Sequence, residues 1–215
     1  MHLINIKLIL FDNFNDVKSE PLTVSNILKV FSESEIKAMP NVFQAISANP
    51  NGMLKKEERM SFVDNYNKIS LAVPTDSIQI EKEYSIPNFE NLDTKLGEFT
   101  KDAFHILSAF LKGASHEVNA TRLSIITNVM IDQKQISDIA KVYEVFNQKF
   151  DGYDSDLTFE WSNRAVKKID ASSIQEELND VTEILRVQGL LNQNDTTVEI
   201  DTIQIRLDLN TLPMN

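Results

Sequence analysis

The chain has no cysteine in its 215 residues, which excludes a disulfide framework, a cysteine nucleophile and thiolate metal sites, and fits a reducing compartment. Five glycines and six prolines are too few for a linker-rich or low-complexity chain. Together with 12 phenylalanines and apolar periodicity as far as Leu209, they predict order nearly end to end. No run approaches the roughly 18 apolar residues that a membrane helix needs. The opening MHLINIKLILFDNF lacks a basic leader region and meets Asp12 and Asp16 where a small-residue cleavage site would stand, so it reads as a strand. The cytosol is the expected compartment, where the sequons at Asn119 and Asn194 meet no glycosylation machinery.

Basic residues are also scarce: 21 Lys and Arg against 32 Asp and Glu give a net charge of −11. The deficit is uneven, with 12 basic and 15 acidic side chains in residues 1–113 and 9 and 17 in residues 114–215. Such a chain repels phosphate backbones, so direct nucleic-acid binding is disfavoured and a basic protein partner is favoured. What the chain does have is apolar residues, at 42%. A chain of this length buries roughly 70% of its unfolded surface without staples.

Residues 3–11 place Ile4, Ile6, Leu8 and Leu10 on one face at period two, with Leu3, Ile9 and Phe11 on the other, the pattern of a central strand. Val24, Ile27, Leu28 and Phe31 then fall at helical spacing. Ser32 and Glu35 have the spacing of a capping box for a second short helix, and Pro40 is placed to open a third helical turn set carrying Val42, Phe43 and Ile46. Asn49-Pro50-Asn51-Gly52 is a strong stop. Extended segments follow near 59–64, 68–73 and 77–84, as a meander. Leu92, Leu96, Phe99, Ala103, Ile106 and Phe110 predict a helix over 92–111 with Gly113 as its stop.

The order then restarts. TRLSIITNVMI is extended, Ile136, Ile139, Ala140, Tyr143 and Phe146 are helical, and residues 157–169, 180–191 and 197–209 are extended. In the last segment the apolar parity flips between Ile200 and Ile203, which predicts a bulge near Asp201 and Thr202. The expected fold class is α+β: one domain over 1–215, with a curved, mostly antiparallel sheet. Two strand-helix-three-strand halves, 1–88 and 114–215, form a half-barrel packed around the connector helix in 89–113.

No constellation carries recognisable chemistry. The histidines His2, His105 and His116 lack metal-clamp spacing; His105 borders the connector's apolar stripe, and the other two read as surface residues. Asp151, Asp154 and Asp156 gather carboxylates around Gly152 without the ligand spacing of a calcium loop. Glu57 with Glu58, Glu176 with Glu177, and the Asp12 to Asp16 loop offer paired carboxylates that nothing ties to a nucleophile. A phosphate loop and a nucleophile elbow are both absent. No catalytic, cofactor or metal residue is therefore expected. Trp161, with Phe159 and Tyr153 near it, is either a core anchor or an exposed aromatic anchor for a partner. Arg164, Lys167 and Lys168 form the only basic cluster of the acidic half.

From Met60 onward, MSFVDNYNKISLAV, then FENLDTKLGEFTKDAFHILSAF, then TRLSIITNVMID resembles an uncharacterised, sporadically distributed bacterial family. In that family a hairpin and an aromatic-bearing helix precede a strand that begins Arg-Leu and ends Arg-Tyr-Ile-Asn. Arg122 and Leu123 match the beginning, and Ile126-Thr127-Asn128 stands in place of the ending. The resemblance implies a single α+β unit with an accessory-genome role, and it carries over no functional residue.

The expected function is that of a non-enzymatic, acidic interaction protein that binds a basic protein partner, such as an immunity or anti-defence inhibitor of bacterial or phage origin. Tyr153, Phe159, Trp161, Glu176, Glu177 and Asp180 are its expected surface. The alternative is a small-molecule or nucleotide binder, enzymatic or not, with a pocket between sheet and connector helix and Arg122, Arg164 and Arg206 as anion ligands. A homodimer through edge strands is a third expectation.

Overall fold

A computed structural model describes residues 2–48, 54–87, 91–131, 139–146, 161–171, 176–193 and 196–212. The element order is β1 (His2–Phe11), α1 (Pro21–Glu33), β2 (Met39–Ala48), β3 (Leu54–Asp64), β4 (Ile69–Ala72), β5 (Ser77–Pro87), α2 (Leu92–Ala114), β6 (Arg122–Met130), α3 (Ile139–Phe146), β7 (Ser162–Ala171), β8 (Glu176–Gln193) and β9 (Thr196–Thr211). The strands make one antiparallel sheet in the order β2-β3-β4-β5-β1-β6-β9-β8-β7, open at β2 and β7. The fold is α+β, and β1 is a central strand, flanked by β5 and β6, as its two-sided apolar pattern implies.

The chain divides into two compact units. One comprises Ile6–Tyr84, Asn91–Ile125 and Asn210–Asn215. Ile6, Leu8 and Leu10 of β1 are buried at period two, while Lys7 between them pairs with Glu81 at 2.7 Å. Pro21 opens α1, where its missing N–H costs nothing, and the helix buries Ile27 and Phe31. Helix α2 starts at Asn91, whose side chain accepts from Thr94 N, and it carries Asp93 in its first turn and Lys112 in its last, each at the end its charge suits. Its buried stripe of Phe99, Ala103, Ile106, Leu107, Ala109 and Phe110 meets Phe31 and Phe62; the Phe31–Phe62 and Phe62–Phe110 ring centroids are 5.2 and 6.2 Å apart.

Residues 32–48 depart from the sequence expectation. Ser32 lies in the last turn of α1 and Glu35 follows it at φ 58°, so this pair ends a helix where a capping box would begin one. Ile36 N donates to Phe31 O at 2.8 Å and Glu35 N to Ser32 O at 3.3 Å, the two bonds of a Schellman motif. The expected turns over Val42, Phe43 and Ile46 are instead strand β2, in register with β3 from Met39↔Val63 to Ala48↔Leu54. Ten cross-strand partners outweigh a weak helical pattern made largely of β-branched and aromatic residues. The first half therefore has four strands after its helix rather than three.

Gly113 also has another role. It lies inside α2, and a Cβ built on it would stand 2.6 Å from Ile27 Cα, so it permits the close approach of α1 and α2 and does not stop the helix.

The second unit comprises Met1–Asn5, Ser85–Glu90 and Ile126–Leu209. Ile139 of α3, Trp161 and Ile203 of β9 form its core cluster, joined by Ile131, Val142, Tyr143, Ile184 and Ile205. Strands β7 and β8 pair in one register from Ser162↔Leu185 to Ala171↔Glu176. Thr202 and Ile203 are both buried though adjacent; the Thr202 hydroxyl donates to Ile131 O at 2.7 Å, so both faces of β9 are covered where the parity flips. The side chains of Val198 and Ile200 lie outside those described.

Candidate functional site

One carboxylate pair comes apart first. Glu57 and Glu58 are consecutive on β3, so that pair is split between opposite sheet faces and cannot act on one proton. The Asp12 to Asp16 loop does find a histidine, which the sequence had placed on the surface. The His116 side chain is 8% exposed, with Nδ1 3.2 Å from Asp16 Oδ2, Nε2 3.5 Å from Asp12 Oδ2, and its ring 4.6 Å from that of Phe14. At 3.5 Å the Asp12 contact is too long for a hydrogen bond and counts as an ion pair only when the ring is protonated. Asp12 also accepts from Asn119 N and Asn13 N, each at 2.7 Å.

Arg59, 1% exposed, completes this end of the unit. Its Nη2 donates to the carbonyls of Phe14 (2.6 Å) and Pro74 (3.1 Å), and its Nε to that of Val73 (3.0 Å). Burial lowers its pKa against the pull of Glu57 and Asp16. These groups clasp the β1–α1 loop; none of the contacts involves a nucleophile. Among the described residues no group of three or more His, Asp or Glu could hold a metal ion. The Asp151 to Asp156 turn lies outside the described residues, as do Tyr153 and Phe159.

Trp161 is 7% exposed and packs edge-on against Tyr143, with ring centroids 5.7 Å apart, so of its two readings its position matches the core anchor. The basic cluster and the acidic candidates prove to be two strands of one hairpin. Arg164 faces Glu183, Lys167 faces Asp180, and Lys168 Nζ lies 3.3 Å from Glu177. The register sets Arg164 and Lys167 opposite acids, and the Lys168–Glu177 ion pair lies on largely exposed side chains. The side chain of Glu176 lies outside those described. Arg164 and Arg206 share a small hollow of about 180 Å³ with Val181, Glu183 and Asp208, and Arg206 Nη1 is 3.8 Å from Glu183 Oε2. Two carboxylates there offset the two guanidinium groups. Arg122 belongs to the other unit, its Cζ 5.2 Å from the Phe11 ring centroid.

Arg186 carried no signal at the sequence level, since its partner Asp201 lies on the next strand. Its Nη2 and Nε donate to Asp201 Oδ2 and Oδ1 at 2.6 and 2.8 Å, and Gln188 adds a third bond at 3.0 Å. The Arg186 hydrogen bonds hold the Asp201 carboxyl below the usual range, against its partial burial, and raise the pKa of Arg186 in turn.

The largest open feature among these sites lies where α1 ends. A groove of about 760 Å³ is lined by Leu28, Phe31, Ser32, Glu35, Ile36, Lys37, Ala38, Tyr66 and Asn67. A second hollow of about 220 Å³ shares Glu35, Ile36, Lys37 and Asn67 with it and adds Asp64, Ile69, Asp102, His105 and Ile106. The negative end of the α1 dipole opens here, and the last turn of α1 holds no basic residue. His105 Nε2 donates to the Ser34 carbonyl at 3.0 Å. Asp64 Oδ1 accepts from Tyr66 N and Asn67 N, both at 3.0 Å, and Oδ2 accepts from Asn67 Nδ2 at 2.7 Å. Burial opposes ionisation of Asp64, but these bonds and nearby Lys37 keep its carboxyl below the usual range. Asp102 pairs with Lys82 at 2.9 Å. Glu35 and Lys37 are the charged residues of the groove and offset one another; the smaller hollow adds Asp64 and Asp102, the latter already paired with Lys82.

The site thus belongs to an α+β chain with an open antiparallel sheet and an open groove beside its first helix. No family model matches the chain, and neither a curated protein nor a solved structure is similar to it. Among the described residues no helix is long and apolar enough to cross a membrane.

Proposed function

We propose that this chain is a non-enzymatic, acidic interaction protein that binds a basic protein partner, as an immunity or anti-defence inhibitor of bacterial or phage origin in the cytosol would. The observation that supports the reading is the chain's net charge of −11, beside an open groove at the end of α1 that Tyr66, 91% exposed, helps to line. Aromatic residues are enriched at recognition surfaces. Charge complementarity would speed association and make it salt-sensitive.

The binder of a small anionic ligand is the weaker reading. The hollow that includes α2 residues lies where such a pocket was expected, but it is only about 220 Å³ and holds none of Arg122, Arg164 and Arg206. Phe31, Phe62 and Phe110 fill the space beside it.

Affinity capture from a lysate of the native host, at low salt with elution at high salt, tests the proposal. The expected product is one basic protein that binds saturably and in a fixed ratio to the chain. Retrieval of no such protein, or of one that high salt fails to release, would end the reading.

A further inference from the structure

The two edges of the open sheet differ in charge. β7 carries Arg164, Lys167, Lys168 and Asp170, the kind of residue that keeps an edge strand from pairing with another chain. β2 reads MPNVFQAISA from Met39 to Ala48 and has no charged residue, in a chain where 25% of residues are charged. Its Met39 and Val42 are 69% and 58% exposed.

The outward hydrogen-bonding groups of β2 follow from its register. Met60 stands opposite Val42, and Met60 O accepts from Val73 N at 3.1 Å, so Met60 turns its backbone groups toward the β4 side and away from β2. Val42 N accordingly donates to the Asn41 side chain, at 2.8 Å, instead of to β3. The N–H and C=O of one residue leave a strand on the same side, and the sides alternate along it, so Val42, Gln44, Ile46 and Ala48 all present theirs to the open edge. Pro40 shares that parity and has no N–H to present. With Val42 capped by Asn41, the first half of the edge is closed. Gln44, Ile46 and Ala48 remain as one side of a ladder.

We infer that this half-ladder pairs with the same stretch of a second copy, antiparallel about a two-fold axis at Ile46. Identical antiparallel strands meet with donors and acceptors in matching order. The register that sets Gln44 opposite Ala48 and Ile46 opposite itself uses every open N–H and neither closed position. Sliding one way sets Val42, then Pro40, opposite Ala48; sliding the other way carries Gln44 past the end of β2. Charge selects the occupant. A net charge of −11 repels a copy approaching over most of the surface, whereas β2 brings no charge to the pairing, and β3 beside it carries both signs at Lys56, Glu57 and Glu58. A cationic or anionic strand from another protein finds no counter-charge on β2.

Sedimentation equilibrium of the full chain over a concentration series tests this. The expected result is a monomer–dimer equilibrium that stops at two copies and tightens as salt rises, because salt screens the repulsion between two acidic chains while the backbone bonds carry no net charge. Ile46→Lys and Ile46→Glu each set like charges directly opposite one another and should each weaken the dimer about five- to tenfold; mixed, the two variants should form a heterodimer tighter than either makes alone. Val166→Lys, on β7, should leave the dimer unchanged. Hydrogen exchange needs no variant: the amides of Gln44, Ile46 and Ala48 should gain protection as concentration rises, and that of Val42 should not. A chain that stays monomeric at millimolar concentration, a dimer that high salt dissolves, or assembly beyond two copies would overturn the inference. So would a dimer that Ile46→Lys leaves intact or Val166→Lys breaks, or one in which those three amides exchange as fast as in the monomer.

Discussion

Two glycines of α2 should respond to the same substitution with opposite sign. Gly97 is exposed, and a Cβ there meets nothing within 4 Å, so Gly97→Ala should gain the helix-propensity difference, about 0.5 to 1 kcal/mol. Gly113 would gain as much, but its Cβ would stand 2.6 Å from Ile27 Cα and 3.2 Å from Ile27 N and Cγ1. Backbone cannot swing aside as a side chain can. Restoring ordinary contact near 3.5 to 4 Å requires α1 and α2 to separate by about 1 Å, a gap that forfeits a quarter to a half of each dispersion contact across it. Overpacking of this kind costs about 1 to 3 kcal/mol. After the propensity gain, Gly113→Ala should be destabilising by about 1 to 2 kcal/mol. For a chain of this size that lowers Tm by roughly 3 to 6 °C, while Gly97→Ala raises it by roughly 2 °C. Scanning calorimetry with urea unfolding as a second probe measures both. If the two substitutions move stability in the same direction, the close approach of α1 and α2 is not as described.

Arg59→Met should destabilise by about 3 to 5 kcal/mol in urea unfolding, because it leaves the carbonyls of Phe14, Val73 and Pro74 without their donor; Arg59→Lys should recover only part of this. Asp201→Asn should remove an acid-labile contribution to stability. The Asp201 carboxyl is depressed by Arg186, so its stabilisation is present above the ordinary carboxylate range and lost as pH falls through the lowered value; urea midpoints of parent and variant should converge as that value is passed. Tyr84 has a buried hydroxyl with no hydrogen-bond partner and a pKa pushed up to about 12 by burial and by Glu98 and Asp102. Its ultraviolet ionisation should lag to about pH 12, and stability should fall as pH rises from about 10, where the unfolded chain ionises first, to about 12. Tyr84→Phe should abolish the lagging phase.

Elements whose periodicity was long were legible. The alternation of Ile6, Leu8 and Leu10 gave β1, and the four-three stripe from Leu92 to Phe110 gave α2, because in each case one face is buried along the whole element. Residues 39–48 were not, since Val42, Phe43 and Ile46 suit either period and only the ten-residue register with β3 decides between them. The site was less legible still. Glu35 looked like a helix start because Ser32 precedes it by three, and its place at a helix end became visible only through φ and the two backbone bonds that close α1. Tyr66 was a turn residue with nothing to mark it.

By itself, then, the sequence determined the α+β class, the acidic balance and the lack of a catalytic motif, for these follow from composition and local period. The tertiary structure decided which charges survive: it set Arg164, Lys167 and Lys168 against the acids of β8 and locked Arg186 onto Asp201 and His116 between Asp12 and Asp16. Net charge is a sum over residues, whereas an unpaired charge depends on which distant side chains the fold brings within about 4 Å.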